Sequence, residues 1–222
     1  MILRTAACAL AIALTVAAAL AAEPHPIKVT VLGALAAQRL PAVPEATHEL
    51  RLTAHSFRGA RWANAVIETA LIDSARLLSQ CNVAVVHAEL RIVTAPRRFH
   101  YYYTPDSRSL LRAIDAPRPA LFFVEDTKND PAFDAEAIGL ANAKSRPELA
   151  NTIWIAYGAR DLAYAIAHEL VHLLSNSGAH NHDTGNLMRT ETAPGNNTLS
   201  AAQCERLRSR GEANGLLKRR SP

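Results

Sequence analysis

Residues 168–172 read His168-Glu169-Leu170-Val171-His172, an H-E-x-x-H pattern. On a helix, residues four apart lie on one face, so both imidazoles can reach one metal ion. Glu169 follows the first histidine. From there a carboxylate can take the proton of a metal-activated water, which is hydrolytic chemistry. Zinc is the ion that suits such donors, with one catalytic ion per site. Two helical histidines leave a zinc site short of a protein ligand, and His180, His182, Asp183, Glu191 and Glu205 follow downstream as candidates.

The pattern works only on a helix. Asp161 to Leu174 supplies one, with Ile166, Leu170 and Leu173 on the side away from the histidines. Asp161 complements the dipole at its start, and Asn176 and Gly178 can take the left-handed conformation that ends it. An apolar strand, Asn151 to Tyr157, precedes it. Trp62, Val66, Ala70, Ile72 and Leu77 recur at helical spacing and predict a long amphipathic helix over Arg58 to Gln80. His48 to Phe57 alternates apolar and polar residues as a strand does, and Val83 to Val93 and Ala120 to Val124 read as further strands. A short helix, Leu110 to Ile114, is expected behind a cap at Asp106 or Ser107. A last helix is expected from about Leu199 to Arg210, capped by Thr198 or Ser200. The fold class is therefore α/β (α+β): a twisted mixed sheet packed on the long helix and the catalytic helix, with a C-terminal helix. Residues 46–212 form this domain. Residues 23–45 are rich in Pro and Ala and fit a linker, a short pro-segment or an N-terminal strand, and residues 213–222 read as a basic, solvated tail.

The chain has 222 residues, 24 Lys+Arg against 20 Asp+Glu, and a formal charge of +4, too weak a bias for a nucleic-acid partner. With 49% apolar residues it is not a disordered chain. The Tyr101-Tyr102-Tyr103 run beside Arg97 and Arg98 reads as rings packed on a sheet, and Trp62 and Trp154 as core. Met1 to Ala22 carries Arg4, then an uncharged run from Thr5 ending at Ala19-Leu20-Ala21, which is the layout of a secretory signal peptide. No later stretch is long and apolar enough to span a bilayer. The expectation is an exported, secreted or periplasmic monomer without stable membrane association. Removal of the leader takes Cys8 and leaves Cys81 and Cys204, which pair in an oxidising compartment. Their loop is long enough for the crosslink to be worth roughly 4–5 kcal/mol in the chain-entropy model.

Residues 180–188, His180-Asn181-His182-Asp183-Thr184-Gly185-Asn186-Leu187-Met188, resemble the stretch from the third zinc ligand to the Met-turn in the metzincin zinc endopeptidases. In matrix-metalloproteinase-like members the third His and the methionine are also eight positions apart. The resemblance implies His168, His172 and His180 as zinc ligands, Glu169 as general base and Met188 as an apolar floor beneath the metal. It also implies a peptide or protein substrate held in extended form on an antiparallel edge strand, for which Ala137 to Asn142 is the candidate. The chain departs from the family at one place. Ser175 and Gly178 stand where a Gly and the third His are expected, so His180 comes two residues late, as if residues 175–178 were an enlarged glycine turn. The tyrosine ligand of some metzincins is missing, since no Tyr follows Tyr164. Glu191, 19 residues beyond His172, lies near the distance at which thermolysin-like enzymes supply a glutamate ligand, but Thr190 to Gly195 does not read as helix. A second reading is an exported binding module whose zinc is structural, closed by His182 or Asp183 as fourth ligand; Glu169 has no role in such a site. A cysteine-switch pro-segment is excluded, because residues 23–80 contain no Cys.

Overall fold

The computed structural model describes residues 26–128, 137–140 and 145–220. The expected leader, residues 1–22, lies outside them, as do residues 141–142 of the expected edge strand. Among the described residues no helix is long and apolar enough to cross a membrane.

The main sheet has a parallel centre and antiparallel margins. Its parallel strands are β2 (His48–Phe57), β3 (Val83–Thr94), β5 (Ala120–Val124) and β8 (Thr152–Ala156). β1 (Lys28–Ala34) lies antiparallel on β3 at one margin, and β7 (Ala137–Leu140) lies antiparallel on β8 at the other. The order is β1-β3-β2-β5-β8-β7. Two short strands, β4 (Tyr101–Tyr102) and β6 (Asp126–Thr127), pair apart from it. β9 (Leu217–Arg219) runs antiparallel to the first residues of β2, His48 to Leu50.

β5 and β8 are buried along their whole length, as parallel strands covered on both faces must be. Leu121, Phe123, Ile153 and Ile155 point to one face, where α1 (Asn64–Ser79) and α3 (Leu162–Ser175) bury Ile67, Leu71, Leu78, Ile166, Leu170 and Leu174 in the larger core. Phe122, Trp154 and Val124 point to the other, against Phe99, Tyr102 and Leu110 of α2 (Thr104–Ala113). His55 sits on β2 with no exposed surface, its ring stacked 4.6 Å from that of Phe122. Its Nδ1–H donates to Leu121 O at 3.3 Å, and burial among Arg91 and Arg118 lowers its pKa from 6.5 to about 3.

Several boundaries differ from the expectations. α1 starts six residues later than Arg58, because Gly59 turns the chain at φ +81° and Trp62 is held outside the helix, its indole N–H donating to Val124 O at 2.7 Å. Trp62 is thus half-buried at the rim of the core, whereas Trp154 is fully buried. α2 starts early, at Thr104: Pro105 fits the first turn, where its missing N–H is not needed, and Asp106 and Ser107 lie inside the helix instead of capping it. Of the tyrosine run, only Tyr102 is buried, against the Trp154 ring. The sheet extends past residues 46–212 on both sides: β1 is a strand, and residues 217–219 are the strand β9 in place of the expected solvated tail. β9 is held by Leu216 and Leu217, which are buried, and by Arg219, whose guanidinium pairs with Glu212 at 2.8 Å.

The last helix, α4 (Ala201–Ala213), has a full capping box: Ser200 Oγ accepts from Gln203 N–H, and the Gln203 side chain accepts from Ser200 N–H. Cys204 in its first turn is joined to Cys81, just past α1, with Cα atoms 4.8 Å apart. At the other end Gly211 lets α4 approach β9, since an added Cβ would lie 2.7 Å from Leu217 Cδ1 and 2.8 Å from Cγ. Gly211→Ala should therefore destabilise. The overpacking costs about 1–3 kcal/mol against about 1 kcal/mol of improved helix propensity. The difference is a net loss of up to about 2 kcal/mol, read as a lower denaturant midpoint; a raised midpoint would show that β9 yields freely.

Candidate metal centre

α3 begins at Asp161, whose backbone is left-handed (φ 51°), and ends at Asn176, also left-handed (φ 48°). Asn176, and not Gly178, makes the reversal that ends the helix. Ser177 N–H then bonds back to His172 O at 3.1 Å. The enlarged turn carries the chain round so that His180 meets the helix.

His168, His172 and His180 form one cluster, with one ligand nitrogen from each lying within 4.8 Å of the others. Nε2 of His172 is 2.9 Å from Nε2 of His168 and 3.3 Å from Nε2 of His180. A tetrahedral ion with bonds of about 2.0–2.1 Å to nitrogen separates its ligand atoms by roughly 3.3 Å, which the His172–His180 spacing matches and the His172–His168 spacing approaches, so the three nitrogens are placed where one ion could be held. His168 is buried, His172 half-buried and His180 exposed, which grades the site from the core to solvent.

The other ring nitrogens decide the chemistry. His168 Nδ1–H donates to Leu187 O at 2.8 Å, and His172 Nδ1–H donates to Ser177 O at 2.6 Å. A carbonyl can only accept, so both rings carry their proton on Nδ1 and present a bare Nε2. Two such lone pairs 2.9 Å apart repel unless a cation lies between them. Protonation is disfavoured: burial lowers the His168 pKa from 6.5 to about 4, opposed by the Leu187 bond and assisted by the neighbouring His172 and His180. Burial lowers that of His172 as well, with His180 adding to it. A metal ion is the cation that fits neutral, converging imidazole nitrogens, and the three histidines can hold one.

The remaining expected residues fall around this cluster. Glu169 is half-buried on α3 beside His168. Met188 is buried in the larger core, and its carbonyl accepts Asn181 N–H at 2.8 Å, next to His180. His182, Asp183, Glu191 and Glu205 are exposed, and none joins the cluster. The loop after His180 is tightened by Asn181, whose Oδ1 accepts Asp183 N–H at 2.6 Å. The orienting carbonyls of Leu187 and Ser177 have no counterpart in the sequence reading, because a backbone carbonyl carries no residue signature.

No family model matches the chain, and no curated protein does. Among solved structures it is similar to metalloproteinase-II from Bacteroides fragilis, at 18% identity and TM-score 0.48, over 75% of this chain and 55% of that one. The chain thus spans about half the length of that protein.

His168 and His55 make acid stability a test of these environments. Unfolded, each takes a proton near pH 6.5; folded, His168 does so near 4 and His55 near 3. Between those values the unfolded chain holds more protons, so stability is full above about pH 7 and falls with pH from about 6.5 towards 4. The slope is at most about 1.4 kcal/mol per pH unit for each group. In metal-free protein, His168→Gln should reduce the slope by one proton's worth; an unchanged slope would contradict the buried, neutral His168.

Proposed function

We propose that the chain is an exported, zinc-dependent endopeptidase of the metzincin type, with His168, His172 and His180 as ligands and Glu169 as general base. One observation carries this reading: two helical imidazoles, each with its Nδ1 proton held by a carbonyl, turn bare Nε2 atoms towards each other and towards His180. Among the described residues no fourth histidine, cysteine or carboxylate joins the cluster. Three protein ligands and an open position favour a catalytic over a closed structural site. When bound there, zinc would supply Lewis acidity towards a carbonyl and lower the pKa of a water.

The chain's own residues do the rest. The Glu169 carboxylate accepts the proton of the attacking water and returns it to the nitrogen of the leaving amine. β7 runs beside α3 at the margin of the sheet, and among the described residues its outer edge has no strand partner. Such an edge can align an extended peptide by main-chain bonds. Met188 closes the floor of the site from the core side. Export is supported by the leader-like residues 1–22 and by the Cys81–Cys204 disulfide.

The experiment is turnover of a quenched peptide library by wild type and Glu169→Ala, with bound zinc measured in both. The variant should stay folded and zinc-loaded while cleavage falls by about 10²–10⁴-fold, the usual contribution of a general base. Cleavage at the wild-type rate would remove Glu169 from that role.

A further inference from the structure

The carbonyl that orients His168 is itself held in place by a side chain from a different helix. Asn186 opens the segment Asn186-Leu187-Met188 and is only 5% exposed. Its Nδ2–H donates to Gln203 Oε1 at 2.9 Å, and Gln203 Nε2–H donates back to Asn186 Oδ1 at 3.1 Å, so the two amides form a reciprocal pair. The same Asn186 Oδ1 accepts Met188 N–H at 2.9 Å, and Leu187 N–H donates to Thr198 O at 2.8 Å. With the amides on both sides tied, the Leu187 carbonyl has one direction left, towards His168 Nδ1. The Met188 carbonyl is likewise fixed on Asn181 N–H, beside His180.

We propose that Gln203 of α4 is a positioning residue for metal binding, acting through Asn186 on the carbonyls that aim His168 and steady His180. This rests on the reading that the three histidines bind a metal. Gln203 has a second task that a test must separate: its Oε1 also accepts Ser200 N–H at 2.8 Å in the helix cap. Ser200→Ala removes the Ser200 Oγ bond to Gln203 N–H and leaves the amide pair intact. Gln203→Glu keeps both acceptor bonds and replaces the donor to Asn186 Oδ1 by an anionic oxygen that repels it.

The experiment measures cobalt(II) affinity by chelator competition, together with the visible spectrum of the cobalt-loaded protein. Removing a group that orients a metal-binding histidine typically weakens binding 10–100-fold. Gln203→Ala and Gln203→Glu should each lose about tenfold and shift the cobalt bands. Ser200→Ala should lower Tm but bind and absorb as wild type. Wild-type affinity and spectrum in Gln203→Ala, or an equal loss in Ser200→Ala, would overturn the proposal while leaving the metal site standing. If Gln203→Ala does not fold, Gln203→Glu decides: weakened binding supports the pair, and wild-type binding overturns it. A wild-type protein that fails to bind cobalt would overturn the metal site and the proposal together.

Discussion

An imidazole binds a metal only through a nitrogen that carries no proton, so a histidine site depends on what holds the other nitrogen. Here that task falls to two backbone carbonyls, Leu187 O for His168 and Ser177 O for His172. Each bond is worth about 0.5–1.5 kcal/mol in net stability, little against the 10–16 kcal/mol of a typical structural zinc. Their importance is geometric. They select the tautomer, aim Nε2 and, with burial, keep the rings neutral over the pH range in which a metal must compete with protons.

The fold can be understood as the means of holding those carbonyls still. Ser177 O is delivered by the left-handed Asn176 that ends α3, so one carbonyl is set by the helix terminus itself. Leu187 O comes from a loop far along the chain, and this needs outside support. Thr198 and Asn186 hold the loop's amides, Gln203 clamps Asn186, and Gln80 reaches across to bond Leu199 N–H at 2.7 Å and Asn197 O at 3.0 Å. The Cys81–Cys204 disulfide fixes the end of α1 to the first turn of α4, one residue from Gln203. A crosslink spanning 123 residues constrains the unfolded chain by an amount of the order of 4–5 kcal/mol, and in the native state it also anchors the loop that aims His168.

Much of this was legible in the sequence because it depends on side-chain type and spacing. The H-E-x-x-H pattern placed both helical histidines on one face, alternation marked β2 over His48–Phe57, and the unbroken apolar run marked β5. Two cysteines left after the leader gave one possible pair, and it is formed. The metzincin resemblance favoured His180 over His182, and His180 is the one that reaches the cluster. What escaped depends on backbone and tertiary context. The late start of α1 follows from an indole bond to a distant carbonyl, β9 from burial of Leu217 against Gly211, and the Leu187 and Ser177 carbonyls from loop paths. Gln203 did leave a trace: a Ser three residues before a Gln is the signature of a capping box, which would have chosen Ser200 over Thr198 as the cap of α4.

Three histidines, and no other His, Cys, Asp or Glu among the described residues, bring their ligand atoms close enough to hold one metal ion. Zinc per mole of protein, measured by elemental analysis with His180→Ala and His182→Ala in parallel, decides whether they do. One tightly held zinc is expected in wild type and in His182→Ala, and its loss in His180→Ala. Zinc retained in His180→Ala, or absent from wild type, would contradict the three-histidine site.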